Sequence, residues 1–159
     1  MDQKKLAKLL KAVIIIAALC LAVVYFFVIP TIGRDTVYQY PEFAGWYWPW
    51  QCFLWVTAAP LYAALIFSWK IASNIGNGNT FTEENSMLLK RIAWMAAVDS
   101  AYFLVGNIVL LGMNMSHPGV VLASLLIVLA GIAICVAAAV LSNLVKRAAD
   151  LQDQYDLTI

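Results

Sequence analysis

Charge is scarce in this chain. Aspartate, glutamate, lysine and arginine together make up 12% of its 159 residues, about half the share of a soluble domain. The balance is a net charge of +1, and the basic residues are scattered at the ends of apolar stretches. That excludes the basic face that direct nucleic-acid binding requires. Histidine occurs once, as His117 beside Pro118 in a turn, and a single imidazole with no second ligand does not make a metal site. The three cysteines, Cys20, Cys52 and Cys135, show no C-x-x-C spacing and no neighbouring histidine, so neither a zinc site nor the usual thiol-redox motif is present. Cys20 and Cys135 fall in apolar stretches, where a thiol is expected to behave as a small hydrophobe. No Gly-rich phosphate loop, Ser/His/Asp set or carboxylate pair can be assembled. The chain implies no cofactor and no enzymatic chemistry.

What is present is hydrocarbon. Hydrophobic side chains account for 64% of the residues, more than a water-soluble fold of this length can hide. A bilayer core about 30 Å thick is crossed by about 20 apolar residues in a helix. Four stretches qualify, at about residues 11–30, 50–70, 91–113 and 119–143, followed by a tail over 144–159. The first has a lysine-rich start like a signal peptide, but its apolar run is too long and no small-residue cleavage site follows. The second contains Pro60, which removes one backbone donor and kinks a helix, a defect that neighbouring helices tolerate in membranes. Open sheet edges cannot face lipid. The expected fold is therefore all-α: a single integral membrane domain forming a four-helix bundle.

Orientation follows from the cations. Lys4, Lys5, Lys8 and Lys11 precede the first span, Lys70, Lys90 and Arg91 flank the second connection, and Lys146 and Arg147 follow the fourth span. Of the ten basic residues, only Arg34 falls on the other side. The positive-inside rule places both termini in the cytoplasm of a plasma or inner membrane. The cluster Trp46-Tyr47-Trp48-Pro49-Trp50, with Phe53 and Trp55, reads as an interfacial aromatic belt at the outer surface. Trp69 and Trp94 match it at the inner face.

The connections are short. Residues 31–45, with Arg34, Asp35 and Glu42, read as an outer loop, and Met113 to Pro118 as a tight outer turn. The formal sequon Asn114-Met115-Ser116 in that turn is pressed against the membrane. On the cytoplasmic side, Asn74-Ile75-Gly76-Asn77-Gly78-Asn79 is turn-forming. Thr82 is a candidate N-cap with acidic residues in the first turn, and Thr80 with Glu83 offers a competing capping box. In the tail, helical spacing puts Leu144, Ala148, Leu151 and Tyr155 on one face, either packed on the cytoplasmic loop or free to dock a soluble partner. The docking candidates are Phe81, Thr82 and Glu83 at the start of the third helix, and Leu151, Tyr155 and Leu157 in the tail.

Within the spans one group stands apart. Asp99 is an acidic residue about 12 Å deeper than Arg91 at ~1.5 Å per residue. A charge at a helix centre costs about 2.5–3.5 kcal/mol on insertion scales, so Asp99 should face the bundle interior or water. Tyr102 and Asn107 share its face and form a polar stripe with it. The stripe is either structural, with Asp99 bonded to Tyr102 or to Thr57 of another helix, or an ion, proton or ligand contact in a small transporter, channel or peptide-immunity protein. Small residues recur every four positions as Gly131-Cys135-Ala139, Ala133-Ala137, Ala18-Ala22 and Ala59-Ala63. Such faces let helices approach closely, within one chain or in a homo-oligomer.

The run Gly78-Asn79-Thr80-Phe81-Thr82-Glu83-Glu84-Asn85, the alanine-rich fourth span leading into Leu144-Val145-Lys146-Arg147-Ala148, and the ending Tyr155-Asp156-Leu157-Thr158-Ile159 together resemble a domain-of-unknown-function family of small four-span bacterial membrane proteins. The resemblance covers nearly the whole chain. It implies the four-span architecture and no established catalytic residue. It also implies a partner, because members are often encoded beside a small helix-turn-helix regulator of the Cro/repressor type. The resulting expectation is a non-enzymatic membrane protein that signals, or tethers such a regulator, through its cytoplasmic loop and tail.

Overall fold

A computed structural model describes residues 2–116 and 118–156. Nearly all of them are helical, and among them there is no strand. Four long helices carry the apolar stretches: α1 (Gln3–Gln39), α2 (Tyr47–Gly76), α3 (Glu83–Gly112) and α4 (Pro118–Asp156). Each is long and apolar enough to cross a membrane. At ~1.5 Å per residue, the 39 residues of α4 extend about 58 Å, far beyond a hydrocarbon core about 30 Å thick. The start of α1 lies against the α2–α3 connection, and the start of α3 lies against the last turns of α4, so these segments share one end of the molecule, here called the termini end. The α1–α2 and α3–α4 connections form the far end.

The four helices pack in chain order, α1 on α2, α2 on α3 and α3 on α4, with the closest association between the last two. Among the described residues no comparable contact joins α1 to α4. The result is an open bundle. In the most apolar window of each span only 6–11% of the residues are buried within the chain, so hydrocarbon has to cover the rest. Lipid provides no hydrophobic drive between helices, which leaves close approach and polar contacts to hold the row together. Gly106 of α3 shows the first of these. A Cβ there would run into the ring of Phe53 on α2, which is stacked on Phe103 with centroids 5.9 Å apart.

Residues 31–45 are not a loop. Helix α1 continues as α-helix over Ile29–Gln39, and a 3-10 segment, Pro41–Trp46, leads into α2. Pro30 stands in the first turn of that continuation, where its fixed φ suits a helix. Its cost falls one turn earlier, where α1 changes to a π turn over Val24–Val28 and the N–H of Ile29 reaches back five residues to the Val24 carbonyl. In that register the Tyr25 carbonyl needs the N–H of residue 30, which proline lacks. The indole N–H of Trp55 on α2 donates to it instead, at 3.2 Å. Trp55 thus has a bonding role beyond the interfacial belt.

Helices α2 and α3 end alike. At the first stop Gly78 N–H donates to the Ile75 carbonyl at 3.1 Å and Asn79 N–H to Asn74 at 2.9 Å. At the second, Asn114 N–H donates to Leu111 at 3.0 Å and Met115 N–H to Leu110 at 2.9 Å. Both are Schellman closures, which require a left-handed residue. Gly78 (φ 89°) and Asn114 (φ 56°) occupy those positions. The sequon Asn114-Met115-Ser116 is thereby the stop of α3.

Candidate functional site

Polar side chains inside the protein fall into two groups. The first lies at the termini end and is centred on Asn85, which is only 1% exposed. Its Nδ2 donates to the carbonyls of Asn79 at 2.8 Å and Thr80 at 3.0 Å. Its Oδ1 accepts from Asn74 Nδ2 at 2.8 Å, and the same nitrogen donates to Glu84 at 3.2 Å. The Asn85 backbone N–H donates to Thr82 Oγ1 at 3.3 Å, so Thr82 rather than Thr80 is the N-cap of α3. One asparagine thus closes the whole 74–85 connection. It belongs to the run on which the family resemblance rested, and its role there is structural.

One residue further on, Ser86 of α3 and Ser142 of α4 exchange bonds. Ser86 Oγ donates to the Ser142 carbonyl at 2.9 Å, and Ser142 Oγ to the Ser86 carbonyl at 2.8 Å. On either side of them Leu88, Leu89 and Ala93 of α3 and Val145 and Ala149 of α4 are buried. Lys11 sits over the ring of Trp69 at 5.1 Å and Arg91 over Phe67 at 5.8 Å, where cation–π attraction adds to the packing.

The tail is helical through Asp156, and of the two readings of its Leu144–Leu151 face the packed one does not hold. Its inward face is Ser142, Val145 and Ala149, while Leu144 and Leu151 are exposed, Leu151 by 56%. Small side chains let α4 lie close against α3, and that contact sets the rotation. Phe81 is 52% exposed, and Glu83 is exposed beside it. Among the proposed docking residues, Phe81, Glu83 and Leu151 are thus accessible, whereas Thr82 is engaged as a cap. Tyr155 lies in α4, and Leu157, like His117, lies outside the described residues.

The second group lies deeper in the row. Thr57 of α2 does not meet Asp99. Its hydroxyl donates to the Leu54 carbonyl at 2.7 Å and accepts from Tyr25 of α1. Tyr62 of α2 donates to the Ala18 carbonyl of α1 at 3.1 Å. The polar adhesive between spans is therefore a set of α1–α2 bonds from Tyr25, Trp55 and Tyr62, one α2–α3 bond from Tyr102 to the Phe53 carbonyl, and the Ser86–Ser142 pair. Asp99 takes no part in it.

The expected stripe of Asp99, Tyr102 and Asn107 divides. Asn107 is buried and donates to the Phe103 carbonyl one turn back in its own helix, at 2.8 Å. Tyr102 is 36% exposed, with its hydroxyl on the Phe53 carbonyl at 3.3 Å. Asp99 is half-buried, and its Oδ1 is closed off without a hydrogen-bond partner. The three do not form a continuous path, because the open row gives them no common interior. Gln51, near the start of α2, is 1% exposed, and neither end of its amide has a partner. Nothing in its position, inside an aromatic belt, marked it beforehand. Asn85, Ser86 and Ser142 did carry a signal, being small polar residues on the inward stripes of otherwise apolar helices. Cys20 and Cys52 are exposed on the bundle's outer surface and Cys135 is half-buried. Gly131 packs within the chain, since a Cβ there would meet Ser100 of α3. Among the described residues no cluster of metal-ligating side chains occurs.

Two comparisons set this arrangement among known proteins. An uncharacterised membrane protein of Bacillus subtilis (strain 168), YoaS, is 32% identical over 146 residues, covering 91% of this chain and 88% of the relative. No solved structure matches. Residues 31–159 match the family described as protein of unknown function (DUF2975), which takes in three of the four spans, the Asn85 connection and the tail. The chain belongs to that family, as a four-helix membrane protein.

Proposed function

We propose that the protein is a non-enzymatic regulator-tethering protein of the bacterial plasma membrane, with its termini end in the cytoplasm. The placement of nine of the ten basic residues supports that orientation. The observation that carries the reading is the exposure of Phe81 and Leu151 at the end of the molecule where the helices outrun the membrane. Apolar side chains exposed there, on a frame held rigid by Asn85 and the Ser86–Ser142 pair, make a preformed docking surface. Its occupant in this reading is a small helix-turn-helix regulator of the Cro/repressor type. Held at the membrane, such a regulator is kept from its DNA. Asp99 lies in the span without a second carboxylate on the groove it lines, and the Tyr102 hydroxyl beside it is held by the Phe53 carbonyl, which fits a role in binding rather than catalysis.

The test is co-expression of the full chain with a Cro/repressor-type regulator encoded beside a family member, followed by membrane fractionation. The regulator is expected in the membrane fraction with the native chain and in the soluble fraction with Leu151→Asp or Phe81→Asp, at unchanged levels of folded membrane protein. A regulator that stays soluble beside the native chain overturns the tethering role. Reporter fusions at Met1 and Ile159 that are active only outside the cell overturn the orientation.

A further inference from the structure

A groove of about 440 Å³ runs between α2 and α3. Its α2 side is short and apolar, made by Ala59, Pro60 and Ala63, and its exposed lining includes Val56 and Val98. Asp99 is its one acidic residue. The hydroxyls that packing brings towards this carboxyl are all committed elsewhere. Tyr25, within electrostatic range of Asp99, donates to Thr57, Thr57 donates to Leu54, and Tyr102 donates to Phe53. Among the described residues no hydrogen bond reaches Asp99; the protein itself seals its Oδ1, which leaves the other carboxyl oxygen for the groove that Asp99 lines.

The groove therefore offers one carboxyl acceptor without a donor, in a wall of hydrocarbon that faces the bilayer. An unpaired carboxylate at that depth is costly, and a cation brought to it restores the balance. We propose that this groove binds a lipophilic primary or secondary amine arriving from the bilayer, its ammonium donating to Asp99 and its hydrocarbon body lying on Ala59, Pro60 and Ala63. A neutral alcohol supplies a donor but no charge, and a quaternary ammonium supplies charge but no donor. The site prefers the amine to both.

Saturable binding of radiolabelled 1-adamantylamine to the full chain in lipid nanodiscs, measured against empty nanodiscs, tests the proposal. The amine should bind saturably, and 1-adamantanol should compete at least about tenfold less well, the scale of losing one charge-assisted bond. Asp99→Asn should weaken the amine by about the same factor while leaving the alcohol unchanged, and Ala63→Leu, which fills the groove, should remove saturable binding of both. Uptake no greater than in empty nanodiscs overturns the proposal, as does equal affinity for amine and alcohol. So does a second copy over the groove, seen as efficient Val98→Cys disulfide cross-linking in nanodiscs that bind no amine. A photoactivatable adamantylamine on the native chain avoids dependence on variants. Label within 56–63 and 95–102 supports the site, and label confined to other segments refutes it.

Discussion

The two ends of the molecule treat buried polar groups in opposite ways. At the termini end Asn85 is fully buried with every amide position used, and Ser86 and Ser142 satisfy one another across the helix pair. Towards the far end Gln51 is buried just as deeply with neither amide atom partnered, and Asp99 has a sealed oxygen that nothing reaches. A satisfied buried polar group stiffens a structure, whereas an unsatisfied one is an energetic burden. The termini end therefore looks built for rigidity. The rest of the row is held by a few tyrosine and tryptophan bonds, between α1 and α2 and from Tyr102 of α3 to α2, and leaves these polar groups unpaired.

The contrast can be broken by substitution. Asn85→Ala strands the carbonyls of Asn79 and Thr80 and the amide of Asn74, and should lower stability by about 3 kcal/mol, read as a fall in apparent melting temperature by fluorescence-detected size exclusion in detergent. Gln51→Met should act in the opposite direction, raising stability by about 1 kcal/mol, since it removes an unpaired amide at nearly constant volume. If it destabilises the protein as Asn85→Ala does, the Gln51 amide has a partner and the two ends are alike. A double-mutant cycle on Ser86→Ala and Ser142→Ala should give a coupling near ~0.6 kcal/mol, the usual scale of an interhelical bond in a membrane protein. A coupling of zero would reduce the pair to packing alone. The smallest effect is expected at Asp99→Asn, whose folded yield and melting temperature should match the native chain within about 0.5 kcal/mol, because no bond in the fold depends on that carboxyl. A large loss would place Asp99 among the structural bonds.

Much of this was legible beforehand, and the boundary is physical. The α3 N-terminus could be read from Thr82 and the acidic residues behind it, because a cap is local chemistry. The stop at Gly78 is of the same kind. The helical passage through Pro30 was not legible. A proline beside apolar sequence reads as an end, and only the π turn, with a donor from Trp55 thirty residues away, lets the helix continue. The stripe Asp99–Tyr102–Asn107 shares a helix face, as its spacing implied. Whether a face has an interior to look into depends on the neighbouring helices, and here Asn107 bonds within its own turn while Asp99 looks into a groove.

Hydrophobic patterning and the placement of cations, both properties of the chain alone, were sufficient to determine four helical spans and to single out one end of the molecule. They act through transfer into hydrocarbon, which depends on composition and length. Tertiary structure alone decided which polar residues pair. Those pairs join Tyr25 to Thr57 and Ser86 to Ser142 across long stretches of chain, and their formation rests on the rotation of each helix about its axis. In lipid that rotation is set by the fit of small side chains between neighbours, a quantity that no single helix contains.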